Sequence, residues 1–258
     1  MDRIEPEPKK PSYEELVLQN QALRLALTES QAEKKAIWMM LAGTNRRLQM
    51  SSAAIKAAVS SMLNYDIFWD GANEHEFLET INTSVDQAGR LVKLLSLAFR
   101  LEAGNLELKR EPHVLQEIIS VVQDHTTASI PNLVFGITLP QEGGAVLVDY
   151  EFLMTALEYL LEVIERMGAR RIGIQAVEEP GRWLLQFEGL DTPTIQAILS
   201  ISHHDFDSAS RLNPAITPES LLRLHIALQI LQMQEIQVEI PDSPHHPPKL
   251  RLVVPIHS

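Results

Sequence analysis

The sequence predicts an α+β fold, in which an N-terminal coiled coil and an antiparallel helical hairpin precede an α/β sandwich. Two observations predict the helical part: apolar residues recur at alternating steps of three and four from Tyr13, and again from Leu78. A third predicts the sandwich, since short apolar runs typical of strands alternate with helical patterns after Gly104. A heptad pattern forms a seam that requires a partner helix. We therefore expect a homodimer in which two hairpins form a four-helix bundle.

Composition narrows the classes of protein to which the chain can belong. The 258 residues carry a formal net charge of -12, which argues against a nucleic-acid partner because phosphate backbones require a basic surface. The absence of cysteine excludes disulfides and thiolate metal sites. No apolar run approaches the length of a membrane span, and the charged start MDRIEPEPKKP has no apolar signal-peptide core. We expect a cytoplasmic protein without membrane insertion.

The first heptad pattern runs for about seven repeats without a proline. One set of core positions is Tyr13, Asn20, Leu27, Lys34, Leu41, Leu48, Ile55 and Met62, and the other is Leu16, Leu23, Ser30, Ile37, Thr44, Ser51 and Ala58. Polar residues at core positions, such as Asn20 and Lys34, favour a register-fixed, two-stranded pairing. The predicted dimer contacts of this helix are Leu16, Asn20, Leu23, Leu27, Ile37, Leu41, Leu48, Ile55 and Met62. The alternative is a long amphipathic helix that packs on its own domain.

The second heptad pattern follows a connection predicted at residues 64–74, with Asp70-Gly71 as its turn signal. Its seam consists of Leu78, Ile81, Val85, Ala88, Val92, Leu95 and Phe99. Among these, Ile81, Val85 and Val92 are predicted dimer contacts.

The remaining pattern predicts the order of elements in the sandwich. Strands are expected at residues 133–139, 145–148, 171–177 and 183–188, the last two pairing around the turn Glu179-Pro180-Gly181. Helices are expected at 149–167 and 218–233, with an irregular stretch at 203–216 between them. Residues 234–240 and 249–255 should close the sheet as an antiparallel pair.

The run LEAGNLELKREPHVLQEIISVV, residues 101–122, resembles the junction of sensor histidine kinases between the dimerising hairpin and the ATP-binding domain. In that family the second helix ends in a similar acidic-Ala-Gly phrase, a strand follows, and a proline-led helix comes next. The resemblance covers roughly residues 37–256. It implies a dimerising hairpin at 44–103 and an ATPase-like domain at 104–258, with a coiled-coil extension before them. The heptads place that signalling helix at 12–43, and we expect the charged, proline-bearing residues 1–11 to be disordered.

The resemblance also implies where phosphoryl transfer would occur, and the expected residues are missing there. The family carries a phosphoacceptor histidine followed by an acidic residue on the first hairpin helix. Alignment through Ala54-Ile55-Lys56 places Arg46 at the histidine position and Arg47 at the acidic position. A guanidinium stays protonated and cannot accept the phosphoryl group. The first histidine of the chain is His75, at the wrong end of the hairpin.

The motifs that hold nucleotide in the family are similarly altered. Tyr159 and Val163 occupy the positions of two asparagines that hold Mg²⁺ and phosphate, and Glu162 alone is a weak magnesium site. Either Glu188 or Asp191 could replace the adenine-binding aspartate, but the glycine spacing is lost. The last glycine motif corresponds to Leu221-Leu222-Arg223-Leu224-His225-Ile226, with bulky side chains. We expect no cofactor, with weak nucleotide binding as the alternative.

Two further groups of residues contain side chains that can form sites in other proteins. Metal-type ligands occur in His203-His204-Asp205-Phe206-Asp207 and in His245-His246, but no helical or strand spacing orients them, and we interpret both as solvated loops with no metal. Trp38, Met39 and Met40 are interpreted as seam and hairpin packing.

These expectations lead to one leading function and two alternatives. The leading hypothesis is a degenerate histidine kinase, a pseudokinase that acts as a dimeric adaptor in two-component signal transduction by binding a response-regulator receiver, a kinase or another signalling protein. The predicted partner-binding surface is Arg46, Arg47, Ala53, Ala54, Ala57, Ser60 and Ser61. One alternative is a divergent kinase or phosphotransfer protein, with His75 as its candidate acceptor. The other is a purely structural coiled-coil dimeriser.

Overall fold

The computed structural model of the chain describes residues 12–64, 71–130, 133–140, 144–240 and 249–256. The chain divides into two compact units, Met1–Trp38 and Met39–Ser258. The helices and mixed sheet described below confirm the predicted α+β class. The predicted disordered segment 1–11 lies outside the described residues, and the predicted boundary between residues 103 and 104 stays a prediction.

Helix α1 extends from Tyr13 to Asn64 and begins with a capping box. The Ser12 hydroxyl accepts a hydrogen bond from the Glu15 backbone N–H at 3.2 Å, and the Glu15 carboxylate accepts one from the Ser12 N–H at 2.7 Å. The two bonds satisfy donors that would otherwise be orphaned at the helix start. The sequence therefore defines locally where this long helix begins.

Helix α2, Gly71–Glu102, runs antiparallel to the second half of α1. The Ser51 hydroxyl donates to the Ser84 carbonyl at 2.6 Å, and the two serines lie equally far from the connection between the helices. The helix begins at Gly71, so the predicted connection at 64–74 was too long at its C-terminal end. The reason is that residues 72–77 contain no glycine or proline to interrupt helical hydrogen bonding.

The end of α2 agrees with the predicted LEAG signal. Gly104 adopts a φ of 66°, a left-handed conformation that glycine enters without steric cost. Its N–H donates to the Leu101 carbonyl, and the Asn105 N–H donates to the Arg100 carbonyl. These bonds satisfy the last carbonyls of α2 and redirect the chain into the sandwich.

The sandwich consists of two sheets and five helices within the described residues. In chain order the elements are β1 Glu111–Val114, α3 Leu115–Ser129, β2 Val134–Thr138, β3 Ala145–Val148, α4 Tyr150–Arg166, β4 Arg171–Glu179, β5 Arg182–Glu188, α5 Thr192–Ser202, α6 Phe206–Leu212, α7 Pro218–Met233, β6 Gln237–Glu239 and β7 Leu250–Pro255. The larger sheet has the order β2-β4-β5-β7-β6, and β1 pairs with β3 in the smaller one. The β2–β4 pair is parallel and the other pairs are antiparallel.

Two helices occur where the sequence analysis expected loop or assigned nothing. Helix α6 lies inside the stretch 203–216 that was predicted to be irregular, and α5 precedes it. Each begins with an aspartate cap: Asp191 accepts from the Thr194 N–H at 2.9 Å, and Asp205 accepts from the Ser208 N–H at 3.0 Å. The Asp-x-x-Thr and Asp-x-x-Ser signals were present but overlooked. The hydrogen bonds from Ser208 lower the pKa of Asp205.

The helix predicted to be led by a proline also differs. Pro112 lies in strand β1, and α3 begins three residues later at Leu115. Strand β1 lies in a two-stranded sheet paired only to β3, so it is an edge strand, where the missing proline N–H is tolerated.

Helices α4 and α7 pack against each other over the sheet. Their contact is held at one end by Asp149, which is almost fully buried. Its carboxylate accepts from the Phe152 N–H at 3.1 Å and from the Lys109 N–H at 2.8 Å, and its own N–H donates to the Gln234 side chain at 2.7 Å. This network sets the relative position of the α4 start and the α7 end, and hence of the side chains between them.

Candidate functional site

The candidate site lies at the N-terminus of α7. Thr217 caps the helix by accepting from the Ser220 N–H at 3.1 Å, and Pro218 occupies the first helical position, where its missing N–H costs nothing. Glu219 follows, with its carboxylate near the positive end of the helix dipole. Its side chain is only 5% exposed, so this carboxylate needs partners.

Three arginines from three helices surround the Glu219 carboxylate. Arg47 of α1 donates to one oxygen. Arg166 of α4 donates to the other at 3.3 Å, and Arg223 of α7 donates to the same oxygen through Nε at 3.3 Å and Nη2 at 3.1 Å. The Arg223 Nη1 also lies 3.0 Å from the Glu162 carboxylate. We call Arg47, Arg166, Arg223, Glu162 and Glu219 the arginine–glutamate cluster.

The electrostatics of the cluster keep Glu219 ionised. Burial alone would raise the pKa of Glu219, but Arg166, Arg223 and Arg47 outweigh it, and the net pKa lies below the ordinary value. Arg223 is 4% exposed and is matched by two carboxylates. The buried charges of the cluster are therefore compensated within the chain.

Tyr159 lies beside the cluster. The Arg223 guanidinium carbon is 5.0 Å from the centre of the Tyr159 ring, within the range of a cation–π contact. Burial raises the pKa of the Tyr159 hydroxyl, and although Arg223 opposes the shift, Glu162 and Glu158 add to it. Val163, one turn further along α4, is fully buried. The two positions that matched metal-holding asparagines thus present an aromatic ring covered by a guanidinium and a buried aliphatic side chain.

A close backbone approach supports the contact between α1 and α7. A Cβ atom added to Gly43 would lie 2.7 Å from the Pro218 Cβ, a separation that carbon atoms do not tolerate. Gly43 precedes Arg47 by one helical turn, and Pro218 precedes Glu219. The glycine allows α1 to reach the start of α7, where Arg47 meets Glu219.

A cavity of about 510 Å³ opens beside the cluster. It is lined by Arg90, Ser129, Ile130, Glu162, Glu165, Arg166 and Arg223, which come from α2, α3 and the residue after it, α4 and α7. Two of the cluster's arginines therefore reach a space large enough for a small molecule.

The loop after β5 contains the two predicted stand-ins for an adenine-binding aspartate. Glu188 forms an ion pair with Lys249 at 2.8 Å, and Asp191 caps α5. Gly189 has a φ of 83°, and a Cβ there would lie 2.3 Å from the Arg171 carbonyl oxygen, so the loop is tightly held against β4. Both carboxylates have structural partners in this chain.

Similarity to known proteins is confined to three-dimensional structure. No protein-family model and no curated protein matches the sequence. The Acinetobacter baumannii histidine kinase AdeS matches with a TM-score of 0.52 at 14% identity, over 82% of this chain and 98% of that one. Full-length ShkA in complex with AMPPNP matches with a TM-score of 0.51 at 13% identity, over 83% of this chain and 45% of that one. The fold is that of the histidine kinases.

On the histidine kinase fold, the predicted partner-binding residues lie on the first hairpin helix. Arg46, Ala53, Ala54 and Ala57 are exposed, and Ser60 and Ser61 are half-buried. Arg46, Ala53 and Ala57 share one face of α1 by helical spacing. Arg47 lies on a different face and contacts Glu219. The structure thus separates two adjacent arginines that the sequence analysis had grouped.

The predicted dimer contacts differ in burial. Leu16, Leu23, Leu27, Val85 and Val92 are at least half exposed. Asn20 is also exposed, whereas Leu48, Ile55, Met62 and Ile81 are partly covered. Ile37 and Leu41 are already buried in the single chain, so a second copy would add little to them.

The histidines that the sequence suggested as ligands or acceptors have different surroundings. His75 is exposed near the start of α2. The interpretation of residues 203–207 as a solvated loop agrees with His203, His204 and Asp205, which are exposed. It is wrong for Phe206, which is buried at the start of α6 and whose ring contacts those of His204 and His225. His225 also lies 3.5 Å from Glu102. Across the described ranges, no three His, Asp or Glu residues are grouped as a metal site, and His245-His246 fall outside those ranges.

Sequence reasoning missed Glu219 and Arg166, the two cluster members that were not singled out. A local signal existed, since Glu162 and Arg166, and likewise Glu219 and Arg223, are spaced four apart on their helices. Such pairs usually lie on solvated surfaces, so the spacing did not reveal that the two helices face each other.

In the part of the chain that the structure describes, no helix is long and apolar enough to cross a membrane.

Proposed function

We propose that this chain is a catalytically inactive, histidine-kinase-like protein that acts as a dimeric adaptor in two-component signal transduction. The observation that carries the proposal is the arginine–glutamate cluster. In the cluster, Arg47, which the resemblance assigns to the family's acidic position, contacts Glu219. Glu219 precedes by two residues the run Leu221–Ile226, which the resemblance assigns to the glycine motif. In an active relative, the phosphoacceptor histidine and the bound nucleotide would meet in this region. Here the side chains of Arg47 and Glu219 occupy it instead.

The chemistry of phosphoryl transfer is not supported at the hairpin. Transfer to a side chain needs a nucleophile with a free electron pair and a neighbouring base that removes its proton. Arg46 and Arg47 are permanently charged donors and supply neither. Arg47 is moreover held by a carboxylate.

Nucleotide binding of the family type is also not supported. Arg223 contacts Tyr159 and Glu162, so the one carboxylate retained at the asparagine helix has a guanidinium partner. Leu221, Leu222 and Leu224 are buried in the core of the domain rather than leaving backbone N–H groups open to phosphates. Magnesium would have to displace Arg223 before it could bind Glu162.

Dimerisation is supported by a second apolar face on α2. Leu91, Leu94 and Ala98 face inward and are buried. Four other large residues stay about half exposed and are spaced seven apart, namely Leu78, Val85, Val92 and Phe99. A strict heptad stripe on an exposed face is typical of a seam that a second helix covers.

The docking surface for a receiver is the exposed α1 face that carries Arg46, Ala53 and Ala57. Small side chains allow close approach of a partner helix, and Arg46 offers a positive charge to an acidic partner surface. Met50, which is 64% exposed, adds an adaptable apolar contact on the same face.

The catalytic part of the proposal is tested with ATP and Mg²⁺. We expect no heat of binding up to millimolar ATP by calorimetry, and no acid-labile phosphate on the protein after incubation with labelled ATP. Labelled phosphate that disappears in His75→Ala would instead establish the divergent phosphotransfer alternative. Binding of ATP with Mg²⁺ by the unaltered chain would contradict the proposal of an inactive site.

The docking part is tested with purified receiver domains encoded by the same genome. Arg46→Glu and Ala57→Glu should each weaken the receiver complex at least about tenfold, because each introduces an unmatched charge into the contact. Lys93→Glu is a matched control, since this residue is exposed and lies on α2, off this face. Unchanged affinity in Arg46→Glu and Ala57→Glu would overturn the proposed docking surface, and a chain that dimerises but binds none of the receivers would favour the coiled-coil alternative.

A further inference from the structure

We propose that Arg47, Arg166 and Arg223 form a phosphate-binding site whose occupant in this structure is the chain's own Glu219 carboxylate. The ligand class is a small inorganic oligophosphate that binds without Mg²⁺. The inference concerns anion binding at the arginines and does not depend on receiver docking.

The balance of charge at the cluster favours a more highly charged occupant. Glu219 brings one negative charge and two acceptor oxygens to three guanidiniums, each of which has up to five N–H donors. Glu162 compensates one more positive charge through Arg223. Three arginines against these two carboxylates leave the cluster with a net charge of about +1, in a chain whose formal net charge is -12. A phosphate group, with more charge and more oxygens than a carboxylate, matches such a set better.

The arginines converge from different directions on one point. Arg47 comes from α1, Arg166 from α4 and Arg223 from α7, and Arg223 is 4% exposed. A buried guanidinium held by Glu162 and the Tyr159 ring is pre-oriented, so little side-chain freedom is lost when an anion binds. Donors that approach from three helices can bind different oxygens of a tetrahedral phosphate.

A route to the site is also present. Arg166 and Arg223 line the 510 Å³ cavity, and Arg90 of α2 adds a further guanidinium to its wall. The cavity carboxylates have their own partners, because Glu162 pairs with Arg223 and Glu165 pairs with Arg170 at 2.8 Å. An anion that enters the cavity can therefore reach two of the three arginines before Glu219 leaves.

Displacement of Glu219 would have a structural consequence. Arg47 lies on the hairpin and Glu219 on α7, so an anion that takes the arginines removes the ion pair between these helices. Phosphate binding and release of the hairpin from α7 would be coupled.

The decisive experiment deletes the resident carboxylate and supplies an external anion. Glu219→Ala and the unaltered full chain are titrated with pyrophosphate in the absence of Mg²⁺ by calorimetry. Glu219→Ala should bind at least about tenfold more tightly, since the competitor for the arginines is gone. Saturating pyrophosphate should also raise its melting temperature by several degrees, because a ligand of the folded state stabilises that state.

Two controls separate the site from general anion binding. Glu165→Ala removes a carboxylate of the same cavity whose partner is Arg170, and it should bind pyrophosphate no better than the unaltered chain. Adding Arg166→Gln to Glu219→Ala should abolish the gain, because Arg166 is a ligand and its side chain is 38% exposed, so its loss is tolerated. Equal pyrophosphate affinity in folded Glu219→Ala and the unaltered chain would overturn the proposal.

Loss of folding does not leave the question open. If Glu219→Ala is unfolded, pyrophosphate at millimolar concentration should restore its helical circular dichroism, and Glu219→Gln provides the same comparison with the side-chain volume kept. Failure of pyrophosphate to restore or stabilise either variant counts against the site. This outcome differs from failure of the proposed function, which is signalled by ATP with Mg²⁺ binding to the unaltered chain.

Discussion

The two halves of α1 carry the same heptad pattern but have different surroundings. In the first half, Leu16, Leu23 and Leu27 are 50%, 70% and 58% exposed. In the second half, Met40, Leu41 and Ala58 are almost completely buried within the single chain. Leu27 and Leu41 belong to the same set of heptad positions, yet one faces solvent and the other is part of the core.

The comparison shows what a heptad pattern does and does not specify. The pattern specifies that a helix has an apolar face, because spacings of three and four place residues on one side. It does not specify what covers that face. In the second half of α1, contacts with α2 and α7 provide cover, as shown by the Ser51–Ser84 hydrogen bond and the Gly43–Pro218 approach. In the first half, a second chain is the proposed cover.

The largest expected effect tests the comparison directly with one substitution in each half. Leu41→Ala should lower the free energy of unfolding by about 2–5 kcal/mol, because it leaves a cavity in a packed core. Leu27→Ala should change it by less than about 0.5 kcal/mol in the monomer. Denaturant unfolding at protein concentrations below dimerisation measures both. Equal losses of unfolding free energy in the two variants would mean that both halves of α1 are packed to the same extent in the monomer.

The next largest effect on stability concerns Glu219, whose ion pair with Arg47 links α7 to the second half of α1. Glu219→Gln should cost about 1–3 kcal/mol at neutral pH, because three arginines lose their ionised partner. The pKa of Glu219 is lowered in the folded state, so its contribution is fully present above the unfolded pKa of about 4.3 and is lost as pH falls through the lower folded value. Glu219→Gln should therefore show a weaker loss of stability between pH 5 and pH 3, measured by denaturation at each pH. An unchanged pH slope would contradict the ionic role.

A smaller effect is expected where α1 approaches α7 most closely. Gly43→Ala should destabilise by about 1–2 kcal/mol, because the added Cβ overlaps with Pro218 and the gain in helix propensity offsets only part of the cost. Gly89→Ala in α2 is the matched control, since a Cβ there meets nothing within 4 Å and should stabilise by up to about 1 kcal/mol. Thermal unfolding of both variants gives the sign of each change. Stabilisation by Gly43→Ala would show that the two helices leave room for a methyl group.

The smallest effect on folding should accompany a large effect on assembly. Val92→Ser lies on the exposed stripe of α2 and should alter monomer stability by less than about 0.5 kcal/mol. In the proposed dimer it should raise the dissociation constant, which sedimentation velocity over a range of concentrations would measure. Thr83→Ser, at an exposed position off the stripe, is the control. If the chain is monomeric at all concentrations, a second chain does not cover the exposed apolar faces of α2 and of the first half of α1, and the proposed dimer is wrong.

Much of the fold could be predicted because its signals are local. The start of α1 at a capping box, the end of α2 at Gly104 and the extent of α7 follow from caps, a left-handed glycine and an N1 proline. The short helices α5 and α6 were missed although their aspartate caps were visible. Helix α6 lies in a stretch dominated by polar residues, whereas α5 has an apolar pattern that was not assigned to any element. Their existence depends on packing as well as on caps.

From the sequence, the candidate site could be predicted only as a set of residues that differ from those of the family it resembles. From the resemblance, Arg46, Arg47, Tyr159, Val163 and Arg223 could be predicted to replace functional residues of the family, and this assignment stays a prediction. What those residues do instead could not be predicted, because Arg47 and Glu219 are separated by 172 residues and meet only after α1 and α7 pack. Glu188 and Asp191 show the same limit, since their partners Lys249 and Thr194 identify structural roles that residue type alone does not.

The sequence by itself determined the α+β class and the two long helices, and it predicted the loss of the residues expected for phosphoryl transfer. These follow from periodicity, caps and side-chain chemistry, all of which act over a few neighbouring residues. Only the tertiary structure decided which apolar stripes are core and which stay exposed, and that Glu219 lies among three arginines. Burial and charge pairing arise between elements distant in the chain, and their strength depends on the low-dielectric surroundings that packing creates.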